Sequence, residues 1–231
     1  MQAAGKLIFV AGAASGIGRA AARRWAAAGG VVAAADINEA GLAETARGLP
    51  GIHSRLLDVA DPAAVAIAVK EIEAQLGPIE RVYNGAAIQP TGLLIEQDPH
   101  EILRVMQINY GGLVNVSLAT LPPMLARGRG VLVNFASIVG WMPSMHFGAY
   151  SASKFAQVAF TEVLHHENRG RGVQILCVCP SQVDTPLRAQ ALSQPKIMQV
   201  GPAPQSPESV VDAIERAIGG RRLFVFARWH T

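Results

Sequence analysis

The chain has 231 residues, half of them hydrophobic and only 16% charged, a composition that fits one well-packed core and excludes a disordered chain. Its net charge is only +3, and its lysines and arginines are dispersed rather than clustered, which argues against a nucleic-acid partner. No apolar stretch approaches the roughly 18 residues that a membrane-spanning helix needs, so no membrane partner is expected.

Apolar runs alternate with helical patterns along most of the chain. The runs typical of buried strands are 6–11, 31–35, 52–57, 81–84, 130–136, 173–179 and 222–226. The helical patterns are 16–28, 39–47, 62–76, 100–127, 149–168 and 208–219. We expect the fourth of these helices to bend or end near Pro122-Pro123, because proline removes a backbone donor and clashes with the preceding turn.

Strands joined by helical crossovers favour one fold class. We predict an α/β fold with a Rossmann-like, doubly wound, seven-stranded parallel sheet and helices on both faces. Nothing in the sequence marks an internal boundary, so we expect a single domain over 1–231 with a substrate loop at about 182–205.

The first strand runs directly into a glycine-rich segment, GAASGIG, from Gly12 to Gly18. Glycines there let the backbone turn tightly and approach a pyrophosphate, while the start of the next helix offers free N–H groups and a partial positive charge. The spacing differs from the commoner G-x-G-x-x-G, and an ordinary strand–helix turn is the alternative interpretation. The apolar start also resembles a short secretory signal, but its continuation into the glycines favours a strand and a cytoplasmic protein.

Two aspartates follow the next two predicted strands. Asp36 ends the second strand, where a carboxylate binds the adenosine ribose hydroxyls and repels a 2′-phosphate. No lysine or arginine stands at 15, 37 or 38 to accept that phosphate, so the sequence favours NAD(H). Asp58 ends the third strand and could reach adenine. The alternatives are that Asp36 is the N-cap of the next helix and that Asp58 is a turn residue.

A tyrosine and a lysine lie one helical turn apart in the segment from Tyr150 to Lys154. Residues four apart share a helix face, so the phenol and the ammonium point the same way. A neighbouring cation favours the phenolate, and we therefore predict a lowered pKa for Tyr150. A surface tyrosine and a solvated lysine are the alternative.

These segments, in this order, resemble the short-chain dehydrogenase/reductases over nearly the whole chain. The family pattern T-G-x-x-x-G-x-G, N-N-A-G, a helix asparagine, a serine, Y-x-x-x-K and P-G has counterparts in Ala11 to Gly18, Asn84 to Ala87, Asn109, Ser137, Tyr150 to Lys154 and Pro180-Ser181. This chain departs from the pattern at Ala11, which replaces threonine, at Gly85 and Ala87, and at Ser181, which replaces glycine.

The resemblance implies an oxidoreductase that transfers a hydride between NAD(H) and a secondary alcohol or ketone. It implies that Tyr150 is the general acid in reduction and the base in oxidation. Lys154 would lower the pKa of Tyr150 and hold the nicotinamide ribose, Ser137 would bind the substrate oxygen, and Asn109 would order a water beside Lys154. The expected cofactor contacts are Gly12, Ser15, Gly16, Ile17, Gly18, Asp36, Asp58, Val59, Asn84, Ala86, Tyr150, Lys154, Pro180, Val183 and Thr185.

The sequence also bears on the substrate pocket and on the assembly of the protein. An apolar pocket is expected from Trp141, Met142, Met145, Phe147 and Leu187, with His146 as a candidate to face it. Family resemblance implies a homodimer or homotetramer through the two long helices, with Leu113, Val114, Ala159 and Val163 on their outer faces.

Cys177 and Cys179 are predicted to be buried thiols on opposite faces of a strand, so neither a disulfide nor a metal site is expected. Two other functions stay open at this point, a dinucleotide-sensing protein without catalysis and an NADP-dependent carbonyl reductase.

Overall fold

One seven-stranded sheet organises the chain in the computed structural model, which describes residues 3–191 and 203–227. The strands in chain order are β1 (Leu7–Ala11), β2 (Val31–Asp36), β3 (Ile52–Leu56), β4 (Ile79–Asn84), β5 (Gly130–Phe135), β6 (Val173–Val178) and β7 (Phe224–Val225). Their spatial order is β3-β2-β1-β4-β5-β6-β7, and every pairing is parallel. The predicted seven-stranded parallel sheet is confirmed.

Eight α-helices connect or follow these strands within the described residues. They are α1 (Gly16–Ala27), α2 (Glu39–Ala46), α3 (Pro62–Leu76), α4 (Pro99–Val105), α5 (Gly112–Arg127), α6 (Gly148–Glu167), α7 (Pro186–Ala191) and α8 (Pro207–Ala217). Shorter turns are the 3₁₀ segments Leu94–Glu96 and Ile138–Gly140 and the π-helical segment Met106–Gly111.

The long helix predicted over 100–127 is interrupted, but not at its prolines. Helix α5 continues through Pro122 and Pro123 to Arg127. Leu121 and Met124 are buried in the core on either side of these prolines, and this packing compensates for the missing backbone donors. The interruption is the π-helical segment between α4 and α5, which carries Asn109.

The core forms two layers, one on each face of the sheet. Alternate residues of β1 belong to different layers: Ile8 and Val10 pack with Trp25 of α1, whereas Phe9 packs with Ile72 of α3. All of these side chains are buried. A parallel sheet covered by helices on both faces requires such continuously apolar strands, and the prediction of helices on both faces is confirmed.

Cys177 of β6 and Cys179, which directly follows the strand, point to the same side of the sheet, so the prediction of opposite faces is wrong. Both thiols are free and buried, their Sγ atoms are 3.9 Å apart, and they share one hydrophobic cluster. The reason is the period of a strand: residues two apart point to the same side.

Of the four residues predicted on the outer faces of the long helices, Ala159 and Val163 are exposed and Val114 is half-buried, but Leu113 is not exposed. Leu113 is only 2% exposed, and its carbonyl accepts a hydrogen bond from the Asn84 amide, so it faces the sheet. The large apolar side chains exposed on α5 and α6 are Leu118, Phe155 and Val163.

Candidate active site

A cavity of about 690 Å³ lies at the carboxyl ends of the strands, beside the point where the strand order reverses between β1 and β4. Segments that follow six different strands line it. They contribute, in chain order, Gly12, Asp36, Asp58, Ala86, Ser137 and Pro180. The crevice outside a topological switch point is the usual ligand site of an open α/β sheet.

The glycine loop after β1 is packed too closely for side chains. A Cβ atom on Gly18 would lie 2.0 Å from the Gly12 carbonyl oxygen, and one on Gly12 would lie 2.8 Å from the Ala86 nitrogen. Gly12 also has a φ of +86°, which disfavours any other residue. Ser15 precedes α1 without capping it through its side chain, so the first-turn N–H groups stay available to an anion.

Asp36 connects β2 to this loop. Its Oδ2 accepts a hydrogen bond from the Ala14 N–H at 3.0 Å, and its Oδ1 accepts one from Asn38 N–H at 3.0 Å. The N-cap of α2 is Asn38, whose side chain accepts from Gly41 N–H, so the interpretation of Asp36 as that N-cap is wrong. Asp36 lines the cavity, and each of its carboxylate oxygens keeps a further lone pair, which suits two ribose hydroxyls.

Asp58 combines the two interpretations that its position allowed. Its Oδ1 accepts from Ala60 N–H at 2.8 Å, as a turn residue does, and the exposed residue also lines the cavity. Val59, next to it, is buried and lines the cavity as well.

The tyrosine and the lysine of α6 are buried together against β5. Lys154 Nζ donates to the Phe135 carbonyl at 2.9 Å and lies 5.3 Å from the centroid of the Tyr150 ring. Ser137 follows β5, and its hydroxyl accepts from Val139 N–H at 3.3 Å. Tyr150, Ser137 and Lys154 all line the cavity, so the structure brings these three sequence-predicted residues together.

Burial governs the pKa values of this pair. It raises the pKa of Tyr150 well above its usual value, and the hydrogen bond with Ser137 only partly opposes that rise. The direction is opposite to the predicted lowering of the Tyr150 pKa, because burial disfavours the charged phenolate. Burial also lowers the pKa of Lys154 to about 8. At neutral pH the phenol thus keeps its proton, and most of the lysine is charged.

Asn109 lies beneath the site rather than in its wall. Its Oδ1 accepts from Ile88 N–H at 2.9 Å, and its Nδ2 donates to the Ile88 carbonyl and to Ser153 Oγ, both at 3.0 Å. Its carbonyl oxygen accepts from Gln157 Nε2 at 2.6 Å. The side chain fixes the chain that leaves β4 against α6, and the water-ordering role of Asn109 stays a prediction.

Asn84 also points away from the cavity, although it was expected to contact cofactor. Its Nδ2 donates to the Leu113 carbonyl at 2.9 Å and to Asn134 Oδ1 at 3.1 Å, between the sheet and α5. The residues after it take its place in the wall, among them Ala86. Gly85 N–H donates to the Ala11 carbonyl at 3.0 Å, so backbone supplies a link between β1 and β4 where the family pattern has a threonine hydroxyl.

The segment after β6 is clasped by Gln205. Val183 pairs with Gln205 in a short parallel bridge, and Gln205 Nε2 donates to Ser181 Oγ at 3.2 Å. Gln205 is only 2% exposed. The cavity is lined by Pro180, Ser181, Val183 and Thr185. At Ser181, which replaces the glycine of the family pattern, the added hydroxyl is hydrogen-bonded to Gln205.

The apolar wall is only partly the predicted one. Phe147 and Leu187 line the cavity, whereas Trp141, Met142 and Met145 do not. Trp141 packs edge-to-face on Phe224 of β7, with ring centroids 5.0 Å apart, and the two methionines are exposed. His146 also does not line the cavity; its backbone has a φ of +65°.

Several wall residues were missed by the sequence analysis. Among them are Arg104 of α4 and Ile108 of the π segment, while Arg188 of α7 was included only as part of the predicted substrate loop. Arg188 had a usable signal, because it lies in the substrate loop predicted at about 182–205 and stands three residues after Thr185, one helical turn along the same face. Arg104 and Ile108 had none, because only the chain path brings their helix over the cavity.

Among residues 3–191 and 203–227, no group of three or more histidine, cysteine, aspartate or glutamate side chains is placed to share a metal ion. No helix within the same ranges is both long enough and apolar enough to span a bilayer.

Comparison with known proteins covers most of the chain. Residues 6–196 match the family described as short chain dehydrogenase. The 2-dehydro-3-deoxy-L-rhamnonate dehydrogenase (NAD(+)) of Sphingomonas sp. is 37% identical over 188 residues, which are 81% of this chain and 76% of that protein. The 1-deoxy-11-beta-hydroxypentalenate dehydrogenase of Streptomyces exfoliatus is 36% identical over 226 residues, 94% of this chain and 81% of that enzyme.

A solved structure extends the similarity to the backbone. A short chain dehydrogenase/reductase from Burkholderia phymatum, in complex with NAD, superposes with a TM-score of 0.87 at 26% identity. The match covers 99% of this chain and 90% of that one.

Proposed function

Because this chain belongs to the short-chain dehydrogenase family, it is a dinucleotide-dependent oxidoreductase of alcohols or ketones, and we propose that NAD(H) and a secondary alcohol or ketone with an apolar body are its reactants. One observation carries the proposal. Tyr150, Ser137 and Lys154 line the same cavity as the glycine loop and Asp36. A proton donor and a dinucleotide cradle thus share one space, and the apolar side chains of Phe147 and Leu187 complete it.

The residues fit this cofactor. The loop from Gly12 to Gly18 lines the cavity in a tight turn that a Cβ on Gly12 or Gly18 would disrupt, and the start of α1 offers N–H groups to a diphosphate. Asp36, which also lines the cavity, has carboxylate oxygens for the adenosine ribose. The same carboxylate repels a 2′-phosphate, which favours NAD(H) over NADP(H). Two relatives support this preference by their names alone, the NAD(+)-dependent Sphingomonas enzyme and the NAD complex from Burkholderia.

The chemistry divides between the cofactor and three side chains. When bound, the nicotinamide supplies or accepts the hydride. Tyr150 donates its phenolic proton to the carbonyl oxygen in reduction and removes the hydroxyl proton in oxidation. Ser137 holds that oxygen through its hydroxyl. Lys154 stabilises the phenolate by its charge and offers a donor to the nicotinamide ribose, while Asn109 fixes the segment after β4.

The wider organisation of the protein is part of the same proposal. We infer one dinucleotide-binding domain over 1–231 with a substrate loop at about 182–205, of which 192–202 lie outside the described residues. Leu118, Phe155 and Val163 expose apolar surface on α5 and α6, which supports a homodimer or homotetramer through these helices. The two free buried thiols are consistent with a cytoplasmic location.

Turnover measurements test this proposal. Purified protein is mixed with secondary alcohols and NAD, or with ketones and NADH, and the absorbance of the reduced nicotinamide is followed, with NADP(H) in parallel. We expect turnover that is faster with NAD(H). Preference for NADP(H) would instead indicate an NADP-dependent carbonyl reductase, and tight NADH binding without turnover of any compound would indicate a dinucleotide-sensing protein.

A further inference from the structure

We propose that Arg188 is a binding residue for the diphosphate of the dinucleotide, which its guanidinium contacts from helix α7. The inference rests on the proposed function, because it needs a dinucleotide in the cavity. It adds a cation to a site that otherwise binds the diphosphate through backbone N–H groups of the glycine loop.

The position of Arg188 follows from its neighbour Thr185. A Cβ atom on Gly16 would lie 2.9 Å from Thr185 Cγ2, so Thr185 is packed directly against the glycine loop. Arg188 N–H donates to Thr185 Oγ1 at 3.4 Å, one helical turn further along. Arg188 lines the same cavity as Gly16 and Ile17. The start of α7 therefore carries this arginine beside the glycine loop.

The guanidinium of Arg188 is also the unengaged one. Within the described chain, three cationic side chains line the cavity. Lys154 donates to the Phe135 carbonyl, and Arg104 pairs with Glu101 at 2.8 Å. Arg188 has no side-chain partner among the described residues, and its Nε is buried without a hydrogen bond. A buried donor without an acceptor is costly, and an anion bound to this guanidinium would offset that cost.

Other charges near the glycine loop are already used. Arg19, the arginine that directly follows the loop, binds the Ala14 carbonyl, the Gly41 carbonyl at 3.3 Å and Thr45 Oγ1 at 3.1 Å, and it does not line the cavity. The acidic side chains of the wall, Asp36 and Asp58, belong to the ends of β2 and β3, at the adenosine side. A diphosphate is therefore the anion that the free fork of Arg188 suits.

An anionic substrate is the competing ligand for this arginine. The contact between Thr185 and Gly16 decides against it, since it ties the start of α7 to the phosphate loop and not to Tyr150 or Ser137.

The experiment compares ligands with and without the diphosphate by calorimetry on Arg188→Gln, Arg188→Lys and wild type. NADH, ADP-ribose and ADP carry the group, and adenosine lacks it. We expect Arg188→Gln to weaken the first three by about tenfold or more and to leave adenosine unchanged. We expect Arg188→Lys to keep part of the affinity, because it retains the charge without the planar fork. The salt dependence of NADH binding should be shallower in Arg188→Gln than in wild type.

A matched control removes the same charge elsewhere. Arg216→Gln, at an exposed position on α8, should bind all four ligands as wild type does. Thermal unfolding by circular dichroism verifies that each variant is folded. Equal NADH and ADP affinities in wild type and a folded Arg188→Gln would overturn the inference, and a rise confined to the KM of carboxylate substrates would assign Arg188 to the substrate. Failure of wild type to bind NADH would instead contradict the proposed function.

Discussion

The cavity has two halves that are built by different means. The cofactor half consists of strand ends and a glycine loop, held by backbone contacts such as Gly12 N–H to the Ala35 carbonyl at 2.9 Å. The substrate half consists of the 3₁₀ turn after Ser137 and the chain before α6. Strand ends are fixed by the sheet, whereas connecting segments are placed by side-chain contacts from distant parts of the chain. Substitutions in the cofactor half and in the substrate half should therefore have different effects on turnover and on cofactor affinity.

Tyr150→Phe should give the largest difference between the effect on turnover and the effect on cofactor affinity. The phenol is the group proposed to protonate the carbonyl oxygen, and loss of a positioned acid or base costs about a hundredfold or more in rate. The cofactor half stays intact, so NADH affinity should change little. Steady-state kinetics with NADH titration measure both quantities. Near-normal turnover in the folded variant would remove Tyr150 from the mechanism.

Lys154 lies between the halves, and its burial predicts a gain in stability when it is lost. Burial lowers its pKa from 10.5 to about 8, so below pH 8 the folded protein holds a proton that burial opposes. Lys154→Met removes this cost, and after loss of the bond to Phe135 the net gain is about 2 kcal/mol. Turnover and cofactor affinity should both fall.

The pH dependence of that gain follows from the direction of the shift. Between about pH 8 and 10.5 the unfolded chain binds more protons at Lys154 than the folded one, so wild-type stability rises with pH there. The advantage of Lys154→Met should therefore shrink across this window in urea unfolding experiments. Lys154→Arg, which keeps the charge, is the control and should show no gain. A Lys154→Met protein less stable than wild type at pH 7 would contradict the argument.

Asp36 tests the cofactor half alone. Asp36→Ala removes the expected ribose contact and the bond to Ala14 N–H, so the KM for NAD should rise about tenfold. The ratio of NADP to NAD use should rise as well, because the charge that repels a 2′-phosphate is gone. Asp58→Ala is the matched control for this ratio: it also removes a wall carboxylate, but one expected near the adenine that NAD and NADP share, so it should leave the ratio unchanged. A wild type that already prefers NADP would contradict this assignment.

The same division explains what could be predicted from the sequence. The strands, the glycine loop and Asp36 at the end of β2 follow from apolar runs and local spacing, and the structure places them as expected. Trp141 was expected in the pocket because it is large and apolar. It packs on Phe224 instead, because β7 returns to the sheet edge beside it. No local pattern encodes that contact between distant segments.

The π segment and the orientation of Asn84 were missed for a related reason. The turn around Asn109 widens where its amide binds both backbone groups of Ile88, a partner supplied by another loop. Asn84 turns toward Leu113 and Asn134 because helix α5 packs there. Both outcomes depend on tertiary partners, which spacing along the chain does not reveal.

The smallest predicted effect concerns the join between the halves at Ser181. Its hydroxyl accepts from Gln205 Nε2 at 3.2 Å, and this amide donor is otherwise shared only with the Ala227 carbonyl at 3.4 Å among the described residues. Ser181→Ala removes one neutral hydrogen bond of about 1 kcal/mol and leaves the backbone bridge of Val183 with Gln205 in place. Because Ser181 lines the cavity, the loosened segment should raise the KM for NAD and for substrate by about two- to fivefold, with kcat nearly unchanged. Ser209→Ala is the control. The Ser209 hydroxyl donates to Gln205 Oε1 at 3.4 Å, and Ser209 does not line the cavity. If the control raised both KM values as much as Ser181→Ala, the effect would come from Gln205 packing and not from the cavity wall.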